Sequence, residues 1–341
     1  MSYQITLTPS GHTFSAAADE PLLAAADAAG LTVPYGCRNG VCSVCKATLL
    51  EGEVDHGESQ EWALPAEQRA AGKVLLCCAK PLSDLVLEVR EVSADRDIPV
   101  KTLPCRVQKM EKVASDVMIL HLKLPASERL QFLAGQYVEF LLKDGKRRAF
   151  SLANAPHDDE LLQVHVRHVP GGQFTGQVFE AMKEKDILRF EGPRGTFFLR
   201  EDSTKPAILL AGGTGFAPVK AIVEHAIHNR IERPLYVYWG ARDRAGLYLP
   251  ALPSQWAAAH TNIRYVPVLS DATAADAWTG RRGLVHNAVL EDFADRADGL
   301  GGFQVYACGS PAMIDAARTA FVARGLPDGE FFADAFTYAV Q

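Results

Sequence analysis

Five of the chain's seven cysteines fall between residues 37 and 78, and three of them stand in the loop PYGCRNGVCSVC as Cys37, Cys42 and Cys45, a C-x4-C-x2-C array. A fourth, Cys77, follows after a long interval in VLLCCAK, with Cys78 directly behind it. Thiolates are soft ligands, and four of them meet the tetrahedral sulfur demand of a zinc ion or of two irons bridged by sulfide. Zinc sites usually present two close C-x2-4-C pairs, which the x4 interval and a single distant cysteine fit poorly, so the pattern favours a 2Fe-2S cluster. Gly36 and Gly40 suit that chemistry, because bare backbone can wrap closely around inorganic sulfide and offer amide hydrogens to negative charge. The plain alternative is a set of small buried apolar side chains. Adjacency alone leaves Cys78 able to replace Cys77.

Three further segments combine glycine turns with groups that suit phosphates. GKRRAFSLAN carries Arg148, Phe150 and Ser151, and HVRHVPGGQFTGQVF carries Gly171, Gly172 and Thr175, with a helix expected to start at Thr175. A guanidinium is a planar, permanent cation, and a helix start behind bare glycine offers amide donors to an anion. AILLAGGTGFAPVKAIVEHAI runs from an apolar strand through Gly212, Gly213, Thr214 and Gly215 into a helix containing Pro218. That order builds a phosphate cradle, although it is not the G-x-G-x-x-G fingerprint. YACGSPAMIDAAR places Cys308 and Gly309 at another strand end, and the tail EFFADAF holds Asp334 and Phe336. Taken singly, each has a bland reading: a solvated arginine, a packing turn, a buried cysteine, C-terminal core.

Elements of two kinds must position these residues. Residues 1–93 read as short strands (Gln4–Leu7, Ala47–Leu50, Leu85–Val89) with one Ala-rich helix near Pro21–Ala29, and the polar stretch 94–102 reads as a linker. Residues 103–202 show turn-separated strands (Tyr137–Leu142, Phe150–Ala153, Leu161–Arg167, Ile187–Glu191) that suggest a small antiparallel barrel. From 203 to 341, strands at Ala207–Ala211, Leu235–Tyr238, Ile263–Leu269 and Gln304–Cys308 alternate with amphipathic helices, which implies a parallel α/β sheet. GPRGTFF would make the turn between these two regions. At 341 residues, two or three domains are expected. The net charge of −6 lies wholly in residues 1–93, so no large basic field suits a phosphate backbone, and nucleic-acid binding is not expected. No apolar run reaches membrane-spanning length and no secretory signal is visible, which points to a cytoplasmic protein.

The cysteine array has the spacing of plant-type ferredoxins, and the other motifs resemble those of the ferredoxin-NAD(P)H reductase superfamily. The order ferredoxin, FAD barrel, NAD domain is that of the reductase components of bacterial oxygenases, such as benzoate dioxygenase and methane monooxygenase reductases; the texture of HVRHVPGG and YWGAR also resembles CDP-6-deoxy-glucoseen reductases. The resemblance implies a β-grasp ferredoxin domain with Cys37, Cys42, Cys45 and Cys77 as ligands, Cys77 being preferred to Cys78. It implies that Arg148, Gly171, Gly172 and Thr175 meet the pyrophosphate of FAD, that Phe150 lies against the isoalloxazine where relatives usually carry Tyr, and that Ser151 faces flavin N5. Gly212, Gly213, Thr214, Gly215 and Pro218 would hold the nicotinamide cofactor, with Cys308 and Gly309 positioning its ring. Phe336 would shield the flavin, with Asp334 nearby in place of the more usual Glu.

The implied activity is transfer of hydride from NADH to FAD and of single electrons through the cluster to a protein acceptor: an oxygenase, a hydroxylase or, in deoxysugar synthesis, a dehydrase component. Arg242 and Arg244 in YWGARDR could meet a 2′-phosphate, but Asp243 would repel it, and the resemblance favours NADH. The acidic first domain is the expected docking face for the acceptor. A redox sensor that keeps these cofactors without rapid turnover is the alternative from another class.

Overall fold

A computed structural model describes residues 1–92 and 98–336. The chain divides into two compact units, one from Met1–Pro99 with the chain end from Asp334 onward, the other Val100–Ala333. The expected linker lies partly outside the described residues.

The first unit is built on strands β1 (Ser2–Thr8), β2 (Thr13–Ala17), β3 (Lys46–Glu51), β4 (Val54–Asp55), β5 (Lys73–Leu75), β6 (Lys80–Pro81) and β7 (Leu85–Glu88), with helices α1 (Leu22–Ala28) and α2 (Ala66–Ala70). Its five-stranded sheet runs β2-β1-β7-β3-β5, while β4 and β6 form a separate ribbon. The pair at its centre is parallel, Ile5 opposite Leu85 and Leu7 opposite Leu87. These four side chains all point into the core, as period-two alternation requires. Helix α1 starts after Pro21, which tolerates the helix entrance because its missing N–H would be unpaired there. It buries Leu22, Leu23, Ala25 and Ala26 and ends before Gly30, whose φ of 73° lies in the left-handed region. Such a sheet crossed by one helix is the β-grasp layout expected from the resemblance.

The second unit begins with β8 (Lys101–Ala114) and β9 (Val117–Lys123), followed by β10 (Tyr137–Leu141), β11 (Arg147–Ser151), β12 (Leu162–Arg167), α3 (Gln173–Glu180) and β13 (Ile187–Arg194). The order β11-β10-β13-β8-β9-β12 returns on itself through an antiparallel bridge between Leu152 and Val164, closing a six-stranded barrel. Strand β8 takes up Lys101 and Thr102, the end of the stretch read as linker. Its polar residues alternate with the inward Leu103, Cys105 and Val107. Helix α3 buries Phe174 and Val178 against the barrel, where Phe174 stacks on Phe140 at 5.0 Å.

Beyond the barrel come β14 (Ala207–Gly212), α4 (Phe216–His228), β15 (Leu235–Ala241), α5 (Ala251–Ala259), β16 (Ile263–Leu269), β17 (Arg281–Arg282), α6 (Val285–Asp292), β18 (Gln304–Gly309), α7 (Pro311–Ala323) and β19 (Phe331–Ala335). The sheet order is β17-β16-β15-β14-β18-β19, with parallel pairs from β17 through β18. The chain winds outward from β14 in one direction and returns to its other side at β18. That reversal puts the C-terminal ends of β14 and β18 at a topological switch point, where α/β sheets open a crevice for ligands. Residues Ala207–Ala211 are fully buried, as expected of a central parallel strand covered on both faces.

Candidate functional site

The loop from Tyr35 to Cys45 contains no regular element, and its course is set by three left-handed residues, Arg38 (φ 61°), Gly40 (φ 75°) and Ser43 (φ 60°). The first is held by an ion pair from Arg38 to Asp27, 2.7 Å long. These turns aim amides at sulfur: Cys37 N donates to Cys42 Sγ at 3.3 Å and Asn39 N to Cys37 Sγ at 3.5 Å. Gly40 admits no larger residue, since an added Cβ would lie 2.6 Å from Cys78 Sγ and 2.9 Å from Glu58 O.

Four sulfurs converge there. Cys37 is within hydrogen-bonding reach of Cys42 and Cys77, and Cys77 also of Cys45. The hydrogen bond from Cys42 pulls the Cys37 thiol far below its ordinary value, while hydrogen bonding to Cys37, together with burial, drives Cys42 and Cys77 upward. Packed this closely, the thiols share protons, and all four can be thiolate only beside a compensating positive centre. Each of these four thiols lies within hydrogen-bonding reach of another member of the set, and Cys77 reaches both Cys37 and Cys45. Cys78 adjoins this set, with Sγ 3.7 Å from Cys77 Sγ, and donates to Glu58 O at 3.4 Å.

On the barrel, the neighbouring arginines of β11 divide their work. Arg147 is committed to carboxylates, donating to Glu139 at 3.2 Å and to Glu191 at 2.9 Å. Arg194 joins the same pair, and Glu191 is held down to about 2 by Arg147, then by Arg194. Arg148 is half-buried and donates to the carbonyl of Arg147 at 2.8 Å, leaving most of its five donors available for a phosphate. Phe150 leans on Phe174 and Phe140, with ring centroids 5.1 and 5.8 Å away. Ser151 is buried at the strand end.

Helix α3 begins at Gln173 with Gly172 as its cap, two residues before the start expected at Thr175. The reason is local: Thr175 Oγ1 turns back to accept from Val169 N at 3.1 Å and donates towards Val169 O and Gly172 O, so its hydroxyl closes the turn. A Cβ on Gly172 would meet that oxygen at 2.4 Å. Gly171, at φ 74°, is exposed with open space around it, as a backbone approached by a ligand should be.

The second glycine turn joins β14 to α4. Gly213 adopts φ 54°, and its carbonyl accepts from Trp239 Nε1 at 2.9 Å; Trp239 in turn stacks on Phe216 at 3.8 Å. A Cβ on Gly215 would lie 2.1 Å from Cys308 O, so only glycine lets this turn press against the end of β18. Cys308 is fully buried there, Gly212 and Gly309 pack backbone to backbone, and Ser310 caps α7 by accepting from Met313 N at 3.3 Å. Pro218 sits in the first turn of α4, where no hydrogen bond is lost. Asp334 is buried on β19 and Phe336, just past it, is half-buried.

Sequence reasoning missed Arg167. It ends β12, donates to Asp116 at 2.7 Å through one nitrogen, and leaves Nη2 buried without a partner, 3.8 Å from where a Cβ on Gly213 would stand. An orphaned cationic donor beside a glycine turn fits a dinucleotide phosphate, because such a group is costly to leave unpaired. A buried aromatic pack brings β12 to this turn: His165 Nδ1 and Tyr248 OH lie 2.8 Å apart, and Tyr248 meets Trp239 edge-on at 5.1 Å. Lys220 adds a second tie, donating from α4 to Ala153 O at 3.0 Å. The signal available beforehand was the outward position of Arg167 in HVRH, whose meaning depended on a strand far along the chain.

Three family models match consecutive stretches: a 2Fe-2S iron-sulfur cluster binding domain over residues 5–82, an oxidoreductase FAD-binding domain over 104–199 and an oxidoreductase NAD-binding domain over 209–319. The CDP-6-deoxy-L-threo-D-glycero-4-hexulose-3-dehydrase reductase of Yersinia pseudotuberculosis is 44% identical over 338 residues, 98% of this chain and 99% of that protein. The chain belongs to the iron-sulfur flavoprotein reductases of the ferredoxin-NAD(P)H reductase superfamily. Within the same family, the reductase component DmpP of phenol 2-monooxygenase from a Pseudomonas species is 38% identical over 346 residues, covering 100% of this chain and 96% of that one. The crystal structure of the cytochrome P450 reductase GcoB of Amycolatopsis superposes with a TM-score of 0.76 at 34% identity, covering 99% and 100% of the two chains. The reductase therefore carries a ferredoxin domain, a flavin barrel and a nicotinamide domain, and its cofactors are a 2Fe-2S cluster, FAD and NAD. No helix among the described residues is long and apolar enough to cross a membrane.

Proposed function

We propose that this reductase is a cytoplasmic enzyme that takes electrons from NADH and delivers them singly to a separate protein, an oxygenase or hydroxylase component. The observation that carries the reading is the presence in one chain of a four-thiol group, an Arg148 with most of its donors unused and an orphaned Arg167 nitrogen beside the Gly213 turn. When bound, FAD would supply the conversion of one hydride, an electron pair, into single electrons, and the cluster would supply a one-electron carrier. Cys37, Cys42, Cys45 and Cys77 ligate the irons. Arg148, Gly171, Gly172 and the amides at the start of α3, including that of Thr175, hold the flavin pyrophosphate, with Phe150 and Phe336 against the ring system and Ser151 at N5. Gly212, Gly213, Thr214, Gly215 and Pro218 seat the nicotinamide cofactor, while Cys308 and Gly309 place its ring by contact and Asp334 supplies a nearby carboxylate.

Selectivity for NADH follows from the turn after β15. Asp243 spends its carboxylate on Gly246 N at 2.9 Å, and Arg244 is drawn to Asp276, its backbone N–H donating at 2.9 Å and its side chain at 3.3 Å to the carbonyl. One of the two arginines that could meet a 2′-phosphate is therefore already engaged. A second acceptor, a dehydrase acting on a nucleotide-linked deoxysugar, is favoured by the 44% full-length match to a reductase of that name. Steady-state assays with ferricyanide and cytochrome c separate these readings from a sensor: NADH-driven turnover with kcat/KM above that for NADPH is expected, and failure to turn over would leave a binding module. Adding a purified oxygenase or dehydrase component then identifies the acceptor by coupled product formation.

A further inference from the structure

Among the described residues, Trp62 is the only aromatic side chain among the large exposed hydrophobics, with 57% of its surface in contact with solvent. It does not belong to a loose segment. The next two residues, Ala63 and Leu64, are buried, and their N–H groups both donate to Gln60 O at 3.0 and 3.1 Å. Glu61 accepts from Ala66 N at 2.9 Å, closing the turn from the other side. An indole held outward by a hydrogen-bonded turn loses little freedom on meeting a partner.

That turn is fastened to the cysteine loop. Gln60 N donates to Gly40 O at 3.1 Å, and Ser43 Oγ donates to Ala63 O at 2.8 Å. Trp62 is thus presented beside the segment that carries Cys37, Cys42 and Cys45, where an electron leaving the cluster would cross to another protein. The flanking sequence is acidic: Glu58, Glu61 and Glu67 are exposed. Arg69 offsets part of this, lying 3.9 Å from Glu61 while donating to Leu64 O and Ser59 Oγ at 3.1 Å each. An exposed aromatic anchor among mainly acidic side chains is a layout found in protein interfaces, with Trp among the residues that most often carry their energy.

We propose that Trp62 is the anchor of the acceptor-docking surface, fitting an acceptor protein that presents basic side chains around an apolar cleft next to its redox centre. This rests on the electron-transfer reading above. Complementary charge steers the encounter, and burial of the indole slows dissociation.

The test uses the full holoenzyme with cytochrome c, a basic haem protein, as acceptor. Trp62→Ala is expected to lower kcat/KM for cytochrome c by about thirtyfold or more, the usual scale for losing an anchor. NADH–ferricyanide turnover and the stopped-flow rate of cluster reduction by NADH should stay unchanged. Glu58→Gln with Glu61→Gln, which keeps an oxygen at position 61 to accept from Ala66 N, should flatten the ionic-strength dependence of cytochrome c reduction. Unchanged cytochrome c kinetics in both variants would overturn the surface. Slower cluster reduction in Trp62→Ala would also overturn it, by assigning the indole to electron entry. A wild-type holoenzyme that cannot reduce its own cluster with NADH would contradict the functional reading itself, and the docking surface with it.

Discussion

The cysteine loop and the glycine turns of the second unit both rely on left-handed backbone, yet they bind by opposite means. In the loop, side chains are the ligands and the backbone serves them: Arg38, Gly40 and Ser43 bend the chain so that amides reach Cys37 and Cys42. In the turns, the backbone itself is the binding surface, and side chains are absent where a ligand must approach, as at Gly171, or where two strand ends must touch, as at Gly215. A site made of side chains fails when one donor is exchanged; a site made of backbone fails when one atom is added.

The sharpest break is therefore Cys45→Ser, which should abolish cluster reduction while NADH still bleaches the flavin in an anaerobic stopped-flow experiment. Loss of both in a folded variant would contradict the division between the two units. Next comes Gly215→Ala, whose Cβ would stand 2.1 Å from Cys308 O. Displacement of the turn or of β18 should raise KM for NADH by about a hundredfold, a ~3 kcal/mol effect, with FAD content unchanged by absorbance. Arg148→Ala should weaken FAD retention by roughly tenfold to a hundredfold, as loss of a charge-assisted contact worth about 1.5–3 kcal/mol predicts. Arg147→Ala, although one residue away, should keep its flavin, because Arg147 serves Glu139 and Glu191. Equal flavin loss from both would mean that the division of labour on β11 is wrong.

A smaller effect separates the units by pH. Burial, reinforced by Lys220 and His121, holds His165 down to about 3. Unfolded histidine takes up its proton near pH 6.5, so the unfolded chain binds more protons below that value. The stability tied to neutral His165 is complete above about pH 6.5 and is lost as pH falls towards 3, about 2 kcal/mol of it by pH 5. Thermal melts at pH 7.5 and 5 should show a drop in Tm of the second unit that shrinks in His165→Gln.

The same contrast governs what was legible in the sequence. The cluster donors lie mostly in one short array, so their spacing points to the chemistry, whereas the preference for Cys77 over Cys78 rests on the resemblance alone. The three-part fold was also readable, because apolar alternation and the strand-turn-helix order survive in local sequence. The sequence signal of β8 is weak because its lysines, arginine and single glutamate mask the inward Leu103, Cys105 and Val107. The start of α3 was placed two residues late because Thr175 resembles a cap, whereas its hydroxyl closes the preceding turn. Arg167 and Trp239 could not be read at all, for their roles arise where β12 meets the β14–α4 turn, contacts between residues far apart in the chain.

The central claim is a continuous electron path from NADH through the flavin to the four-cysteine centre. An anaerobic titration with NADH, following flavin absorbance together with electron paramagnetic resonance, tests it directly. The account predicts a reduced-cluster signal that grows as the flavin band disappears; flavin bleaching with no such signal would contradict it, leaving a flavin reductase whose cysteine loop does other work.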